Sequence, residues 1–515
     1  MGSPYGPRDR PWLGRLGFAG ALRLPLVIVS ESLDALLRRA TGRLAPTLPL
    51  LTELGAAFTD AGHEVALVGG PVRDALLGRE SSDLDLTTSA RPEDTERILD
   101  AWGEATWDMG REFGTIGARR GATVVEVTTY RADAYDGRTR KPVVAFGENL
   151  TEDLVRRDFT VNAMALRLPD LEFVDPHGGL EDLAAGRLHT PGPAEVSFGD
   201  DPLRMMRAAR LAAQLGFDVA PQVRAAMGDM AESLGIVSAE RIRDEFSKLV
   251  LAPDPVTGLR LLVDTGLADV MLPELSVMRE TVDEHRRHKD VYEHSLTVLR
   301  QAIALEGAPG GPEDSVPAPD LVLRLAALLH DIGKPATRRF EPGGGVTFHH
   351  HEVVGAKMTN KRLRALRYDK DTIKAVSRLV ELHLRFHGYG DGEWTDSAVR
   401  RYVTDAGPLL QRLHRLTRAD CTTRNRRKAE RLGRTYDSLE ARIETLMAAE
   451  ELKKVRPELD GHEIGETLGI SPGPVLGRAY KHLLALRLDR GPVGKDVARE
   501  ELRTWWAQQP ESARD

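Results

Sequence analysis

A chain of 515 residues with a single cysteine, Cys421, has no intramolecular disulfide framework. That absence fits a reducing compartment. Aromatic residues make up only 5%. No apolar run approaches the roughly 20 residues needed to span a bilayer. The stretch Leu16 to Val29 is short, is broken by Arg23, and is followed by no small-x-small cleavage site, so it does not read as a signal peptide. A basic excess is missing too: the formal net charge is −7. Nucleic-acid binding must therefore come from local clusters, not from the sum. With 41% hydrophobic and 29% charged residues, the composition is that of a soluble globular protein, too long for one core.

What is present falls into a mixed region followed by a helical one. Val65–Val68, 83–88, 113–118 and 124–130 read as strands, with helices starting near Pro71 and Pro92. From about residue 200 the pattern is helical, through 203–215, 239–251 and 255–265. The segment from Glu306 to Asp320 holds four prolines and three glycines and reads as a linker or surface loop. Helices resume at Leu321 and run to about Glu450, and Pro457 opens a last module of short helices. Two basic clusters stand out. Arg415 to Arg434 carries eight basic residues against two acidic ones, and Lys357, Lys361, Arg362, Arg364, Arg367 and Lys370 form the second. On helices these would be basic faces able to track a phosphate backbone, or simply solvated surfaces.

The most informative stretch is Val68-Gly69-Gly70-Pro71-Val72-Arg73-Asp74, followed by Asp83-Leu84-Asp85-Leu86-Thr87-Thr88. A strand running into a Gly-Gly turn and a helix start offers backbone N–H groups to a polyphosphate. Asp83 and Asp85 alternate with leucines, so on a strand both carboxylates share one face. Adjacent carboxylates repel unless cations lie between them, which points to a divalent-metal site for nucleotidyl transfer. Either feature alone is an ordinary turn or a solvated strand edge; their order and spacing make the site. Glu126, between Val125 and Val127, faces opposite to them. It is a candidate third carboxylate, or a cross-strand charge on a half-buried sheet.

These segments resemble the head domain of the DNA polymerase β-like nucleotidyltransferases, and more narrowly the class II CCA-adding enzymes and bacterial poly(A) polymerases. Two later runs extend the resemblance. Arg156-Arg157-Asp158 is similar to the family's Arg-Arg-Asp motif, which implies that Arg157 and Asp158 contact ribose and phosphate. Asp200-Asp201-Pro202-Leu203-Arg204 is similar to the Glu-Asp-x-x-Arg motif that chooses CTP and then ATP; Asp201 and Arg204 match it, and Asp200 stands where glutamate is common. A carboxylate and an arginine can read the Watson–Crick edge of cytosine or adenine. Asp201, Arg204 and Arg207 recur every third residue, which places them along one side of a helix; Arg207 and Arg210 are expected phosphate contacts. Gly69, Gly70 and Arg73 complete the nucleotide-binding set, and the segment from Glu240 to Glu245 resembles the structural neck helix.

His294, His330, Asp331 and Asp420 resemble the ligand set of the HD metal-dependent phosphohydrolases, with His351 and His383 as accessory or second-metal ligands. Such a set suits a divalent transition metal. Leu459-Asp460-Gly461 and the Gly-rich run from Leu468 to Gly477 resemble the family's tail module. The resemblance implies an α+β fold: a small mixed-sheet nucleotidyltransferase head followed by all-helical neck, HD and tail domains. The expected boundaries are an extension over 1–45, the head over 46–190, the neck over 191–280, the HD domain over 281–450 and the tail over 451–515. The implied activity is addition or repair of the tRNA 3′ CCA end from CTP and ATP, in the cytoplasm, with two Mg²⁺ held by Asp83 and Asp85. A poly(A) polymerase, an enzyme adding only C or only A, and, from another class, a phosphohydrolase acting through the HD region on nucleotides or RNA ends remain open.

Overall fold

A computed structural model describes residues 33–80, 84–110, 114–131, 146–147, 149–281, 290–307, 316–342, 345–389, 394–422, 426–450 and 455–510. The chain divides into two compact units at Pro273/Glu274. Asp83 and residues 1–32, with most of the expected extension, lie outside the described residues.

The first unit is built on a seven-stranded sheet: β1 (Val65–Val68), β2 (Leu84–Thr88), β3 (Ala105–Gly110), β4 (Thr115–Arg120), β5 (Thr123–Thr129), β6 (Ala165–Leu168) and β7 (Glu172–Val174). Their order is β3-β4-β5-β2-β1-β6-β7. β1 is buried at every position, as a continuous apolar run with neighbours on both sides should be. β2 and β5 pair in parallel, and the other neighbours pair antiparallel. β1, β2 and β5 match the expected strands closely. β3, β6 and β7 were not expected from the sequence; β7 has three residues and one apolar-polar alternation is too little to read.

The helix Leu33–Leu44 lies within the expected extension and buries Leu36, Ala40 and Leu44. After the sheet come Leu203–Leu215, Pro221–Asp229, Ala239–Val250 and Pro255–Asp264. Three of these stand within a residue of where helix periodicity puts them. Asp201 is a correction. It does not lie on the Leu203–Leu215 helix but precedes it in extended conformation, φ −146° and ψ 100°. Pro202 disfavours the α region for the residue before it.

The second unit is helical apart from a two-residue-per-strand hairpin, Arg339–Phe340 with Val346–Thr347. Its centre is Val291–Glu306, Leu321–Leu329, His351–Ala365, Lys370–Leu382 and Leu410–Asp420. Asp320 caps Leu321–Leu329 by accepting from Leu323 N–H and also pairs with Arg412. Arg324 and Glu306 form a buried ion pair, with both guanidinium–carboxylate contacts at 2.8 Å. The last module, Gly461–Leu468, Pro474–Arg490 and Lys495–Ala507, has its own small core around Leu459, Ile464, Leu483 and Leu502. Two of its helices run 17 and 13 residues, longer than the sequence suggests. No helix among the described residues is long and apolar enough to cross a membrane.

Candidate active site and metal centre

In the first unit, β1 delivers the chain to Gly69 at φ +76°, a left-handed conformation that favours glycine. A Cβ at Gly69 would stand 3.3 Å from Arg157 Nη1, so the glycine also makes room for that guanidinium. The helix Gly70–Leu76 follows. Arg73 within it chelates Asp74, at 2.9 and 2.8 Å, and donates to Asn162 Oδ1 at 2.6 Å.

β2 leaves Asp85 exposed between buried Leu84 and Leu86. The parallel register sets Asp85 directly beside Glu126, which is exposed on β5 between buried Val125 and Val127. Neighbouring strands lie about 4.8 Å apart, so the two carboxylates share one face. Both line a cleft of about 370 Å³, together with Arg131, Arg156, Arg157, Asp158, Asp201, Arg204, Arg207 and Arg241. Six arginines thus face four carboxylates in one cleft, a surplus of positive charge suited to a polyanion.

The short helix Leu150–Val155 sets the first arginines. Asp153 is fully buried, accepts from Arg156 at 2.7 Å and Arg157 at 3.1 Å, and takes Thr87 Oγ1 from β2 at 3.2 Å. Burial alone would raise its pKa, but Arg157 and Arg156 outweigh burial and hold it below the usual carboxylate value. Asp158 is a buried hub: Oδ1 accepts from Phe159 N–H and Asn162, and Oδ2 from Arg207 at 2.8 and 2.5 Å. Burial pushes its carboxyl up, and Arg207 with Asn162 pulls it well below the ordinary range. Arg204 donates to Ser197 and to the Arg156 carbonyl, and Asp201 accepts from Leu203 N–H and from Arg241 at 2.7 Å.

The structure therefore brings Asp85, Glu126, Arg157, Asp158, Asp201, Arg204 and Arg207 together. Gly69, Gly70 and Arg73 stand beside the cleft, not in its lining. Arg210 is likewise outside it, bound to buried Glu245 at 2.6 Å and to Gln214. Sequence reasoning missed Asn162, which joins Arg73 to Asp158, and took Arg241 and Glu245 as purely structural. A helix distant in sequence from the arginine motifs carries no sign of which side it turns to their cleft.

In the second unit, six side chains from five segments converge. His294 Nε2 lies 3.0 Å from Asp420 and 3.5 Å from Asp331, and His330 Nε2 lies 3.2 Å from Asp331 and 3.6 Å from Asp420. His351 Nε2 is 3.2 Å and His383 Nε2 3.9 Å from the other Asp331 oxygen. Their ligand atoms form two triplets, His294, His330, Asp420 and Asp331, His351, His383. Gly333 permits this: a Cβ there would sit 2.2 Å from the His351 carbonyl oxygen, so only glycine lets the His351–Ala365 helix start so close to Asp331.

His330, His351 and His383 each engage Nδ1 with the carbonyl three residues earlier, at 2.9, 2.8 and 2.6 Å. That fixes the tautomer and presents Nε2 inward. His351 Nε2 and His383 Nε2 are buried without a hydrogen-bond partner, and a cation between them and Asp331 would satisfy both. The all-imidazole-and-carboxylate donor set fits a divalent transition metal. Burial would raise the Asp331 and Asp420 carboxyls, yet His330 holds both well below their usual range. Burial would lower His330, but Asp331 and Asp420 push it up to about 10. Lys334 Nζ also sits 2.9 Å from Asp331. The basic run beyond it is less available than its sequence suggests: Arg415 is buried against the Leu305 carbonyl, and Arg418 is paired with Glu440 and Asp437.

Three family descriptions match in chain order: the Poly A polymerase head domain over residues 65–189, the probable RNA and SrmB-binding site of polymerase A over 216–278, and the HD domain over 291–425. The A-adding tRNA nucleotidyltransferase of Deinococcus radiodurans is 33% identical over 455 residues, covering 87% of this chain and 96% of that protein. The CC-adding tRNA nucleotidyltransferase of Thermus thermophilus is 34% identical over 450 residues, covering 85% and 93%. The solved Bacillus stearothermophilus CCA-adding enzyme, in complex with CTP, shares the fold with a TM-score of 0.65 at 24% identity, covering 90% of this chain and 98% of that one. The chain belongs to the tRNA nucleotidyltransferase family.

Proposed function

We propose that this chain builds or repairs the 3′-terminal CCA of tRNA from CTP and ATP. The observation that carries the reading is the side-by-side placement of Asp85 and Glu126 in the arginine-lined cleft. Relatives named for A addition and for CC addition, each matched over most of its length, support the two nucleotides in turn. We assign residues 1–45 to an extension, 46–190 to the head, 191–280 to the neck, 281–450 to the HD domain and 451–515 to the tail; the matched family stretches fall inside the middle three. We assign the reaction to the cytoplasm, in keeping with tRNA and nucleotide substrates.

In this reading Asp83 and Asp85, with Glu126 adjoining, hold two Mg²⁺, for which an oxygen-only donor set is suited. Bound there, the cations supply activation of the RNA 3′-hydroxyl and neutralisation of the leaving pyrophosphate. Arg156, Arg157 and Arg207 draw the triphosphate into the cleft. Asp158 keeps Arg207 and Asn162 in position. Asp201 and Arg204 read the base edge, the carboxylate accepting from the exocyclic amine and the guanidinium donating to the ring. Gly69, Gly70, Arg73 and Arg210 hold the surrounding frame.

The HD centre is a second site on the same chain, with His294, His330, Asp331 and Asp420 as metal ligands and His351 and His383 completing it. Its chemistry, when metal is bound, is water activation against a phosphoester.

The test is incubation with tRNA lacking its CCA end, Mg²⁺, and CTP, ATP or both, followed by sequencing of the 3′ termini. CCA that depends on both nucleotides is the expected product. A run of adenosines would make the protein a poly(A) polymerase, and C alone or A alone would make it one half of a divided pair.

A further inference from the structure

We propose that a basic cleft between the helices His351–Ala365 and Lys370–Leu382 binds a phosphate-bearing ligand of about nucleotide size. The cleft encloses about 650 Å³, within the range of small-ligand sites. His351 starts the first of these helices and His383 follows the second, but none of the lining residues is a histidine of the metal centre.

Arg364, Arg367, Lys370, Lys374 and Arg378 line it against a single carboxylate, Glu381. Arg378 is spent on Glu381 and on the Asp405 carbonyl. Among the described residues, no ion pair engages Arg364, Lys370 or Lys374, so three cations face one cavity without an internal counter-charge. All three side chains are exposed, so solvent screens their mutual repulsion, and what the cluster offers is a local positive field able to hold an anion. Ser377, also in the lining, has its Oγ buried without a hydrogen-bond partner, a donor suited to a phosphate oxygen.

Arg367 gives the independent argument. It ends the His351–Ala365 helix in the left-handed region, φ +61°, where its N–H meets the Arg364 carbonyl and the Tyr368 N–H meets that of Leu363. This is the helix-ending position at which glycine is least strained. An arginine there carries a backbone penalty, and what it adds is a guanidinium in the cleft lining. Stability and binding should therefore respond in opposite directions to the same substitution.

The phosphate has two possible sources, a free polyphosphate or the backbone of RNA. The full chain and two variants, Arg367→Gly and Lys374→Glu, are titrated with inorganic pyrophosphate by calorimetry and with tRNA lacking CCA across a salt series. Arg367→Gly is expected to keep or raise the melting temperature while weakening binding severalfold. If tRNA affinity falls about tenfold and the log Kd against log salt slope drops by about 0.9 per lost contact, the ligand is RNA. If pyrophosphate loses a binding event while tRNA affinity holds, it is a free phosphate. The pyrophosphate arm does not depend on tRNA being the substrate, so the two readings fail separately. Wild-type binding of both probes by both variants, with the melting temperature retained or lowered, overturns the proposal.

Discussion

The two acidic centres of this chain solve the same electrostatic problem differently. In the first unit, Asp153, Asp158 and Asp201 are answered by Arg156, Arg157, Arg207 and Arg241 of the same chain, and Asp85 and Glu126 stand exposed at the edge of that network. In the second unit, Asp331 and Asp420 meet imidazoles whose Nδ1 atoms are already committed, and the Nε2 atoms of His351 and His383 are buried without hydrogen-bond partners. The first arrangement is a preassembled cradle for a polyanion. The second gathers imidazole and carboxylate ligand atoms of the kind that could hold a divalent cation. Arginine, always charged and forked, suits the former; imidazole, whose Nε2 can hold either a proton or a cation, suits the latter.

The sharpest way to break this contrast is Asp85→Ala. Asp85 is exposed, so the fold should survive, while nucleotide addition falls by at least about 10³-fold; a variant with near-normal incorporation would remove the head site from the chemistry. Asp331→Ala should do the reverse. Metal content, measured by elemental analysis of the purified chain, is expected to fall by the HD complement, with nucleotide addition unchanged; undiminished metal would take metal binding away from this centre.

A third experiment sharpens the comparison through acid stability. His414 in the second unit is buried, stacks on Tyr402, and lies 3.7 Å from Glu440 with Arg415 and Arg418 nearby. Burial holds it at about 4, against the partial pull of Glu440. Its neutral form therefore contributes stability that is complete above about pH 6.5 and is lost as pH falls towards 4. The shift corresponds to about 3 kcal/mol. Urea midpoints from pH 4 to 7 should fall less steeply for His414→Leu than for the wild type; parallel curves would refute the assignment. The smallest effect is expected from Asp201→Ala: selectivity between CTP and ATP, read as a ratio of kcat/KM values, should drop about tenfold with kcat less affected. An unchanged ratio would take base reading away from Asp201.

Much of this was legible in order and spacing. The strand carrying Asp85, the Gly69-Gly70 turn and the arginine motifs are local, and local patterns survive folding. Register is not local. Glu126 becomes the neighbour of Asp85 only because β5 pairs with β2 across a crossover, and nothing in Val124-Val125-Glu126 distinguishes that pairing from an outer edge. The six HD-centre residues are scattered from His294 to Asp420, so the sequence offered types but not distances. Asp201 shows the converse case. Its spacing to Arg204 suggested one helix, but the constraint imposed by Pro202 was readable and stronger. Arg241 was read only as part of a structural helix and Arg367 only as one of a basic cluster, because a basic residue on a helix says nothing of the cavity beside it.

The parallel pairing of β2 with β5 also dictates when the head site comes into being. Antiparallel neighbours can zip from a short turn, but a parallel pair waits for the whole connection from Thr88 to Thr123 to close. Contacts of that kind tend to form late. A nascent or partly folded chain therefore presents Asp85 without Glu126 beside it, and the sheet must be complete before the carboxylates share a face. The pairing of Asp85 with Glu126 is in this sense a readout of a finished sheet.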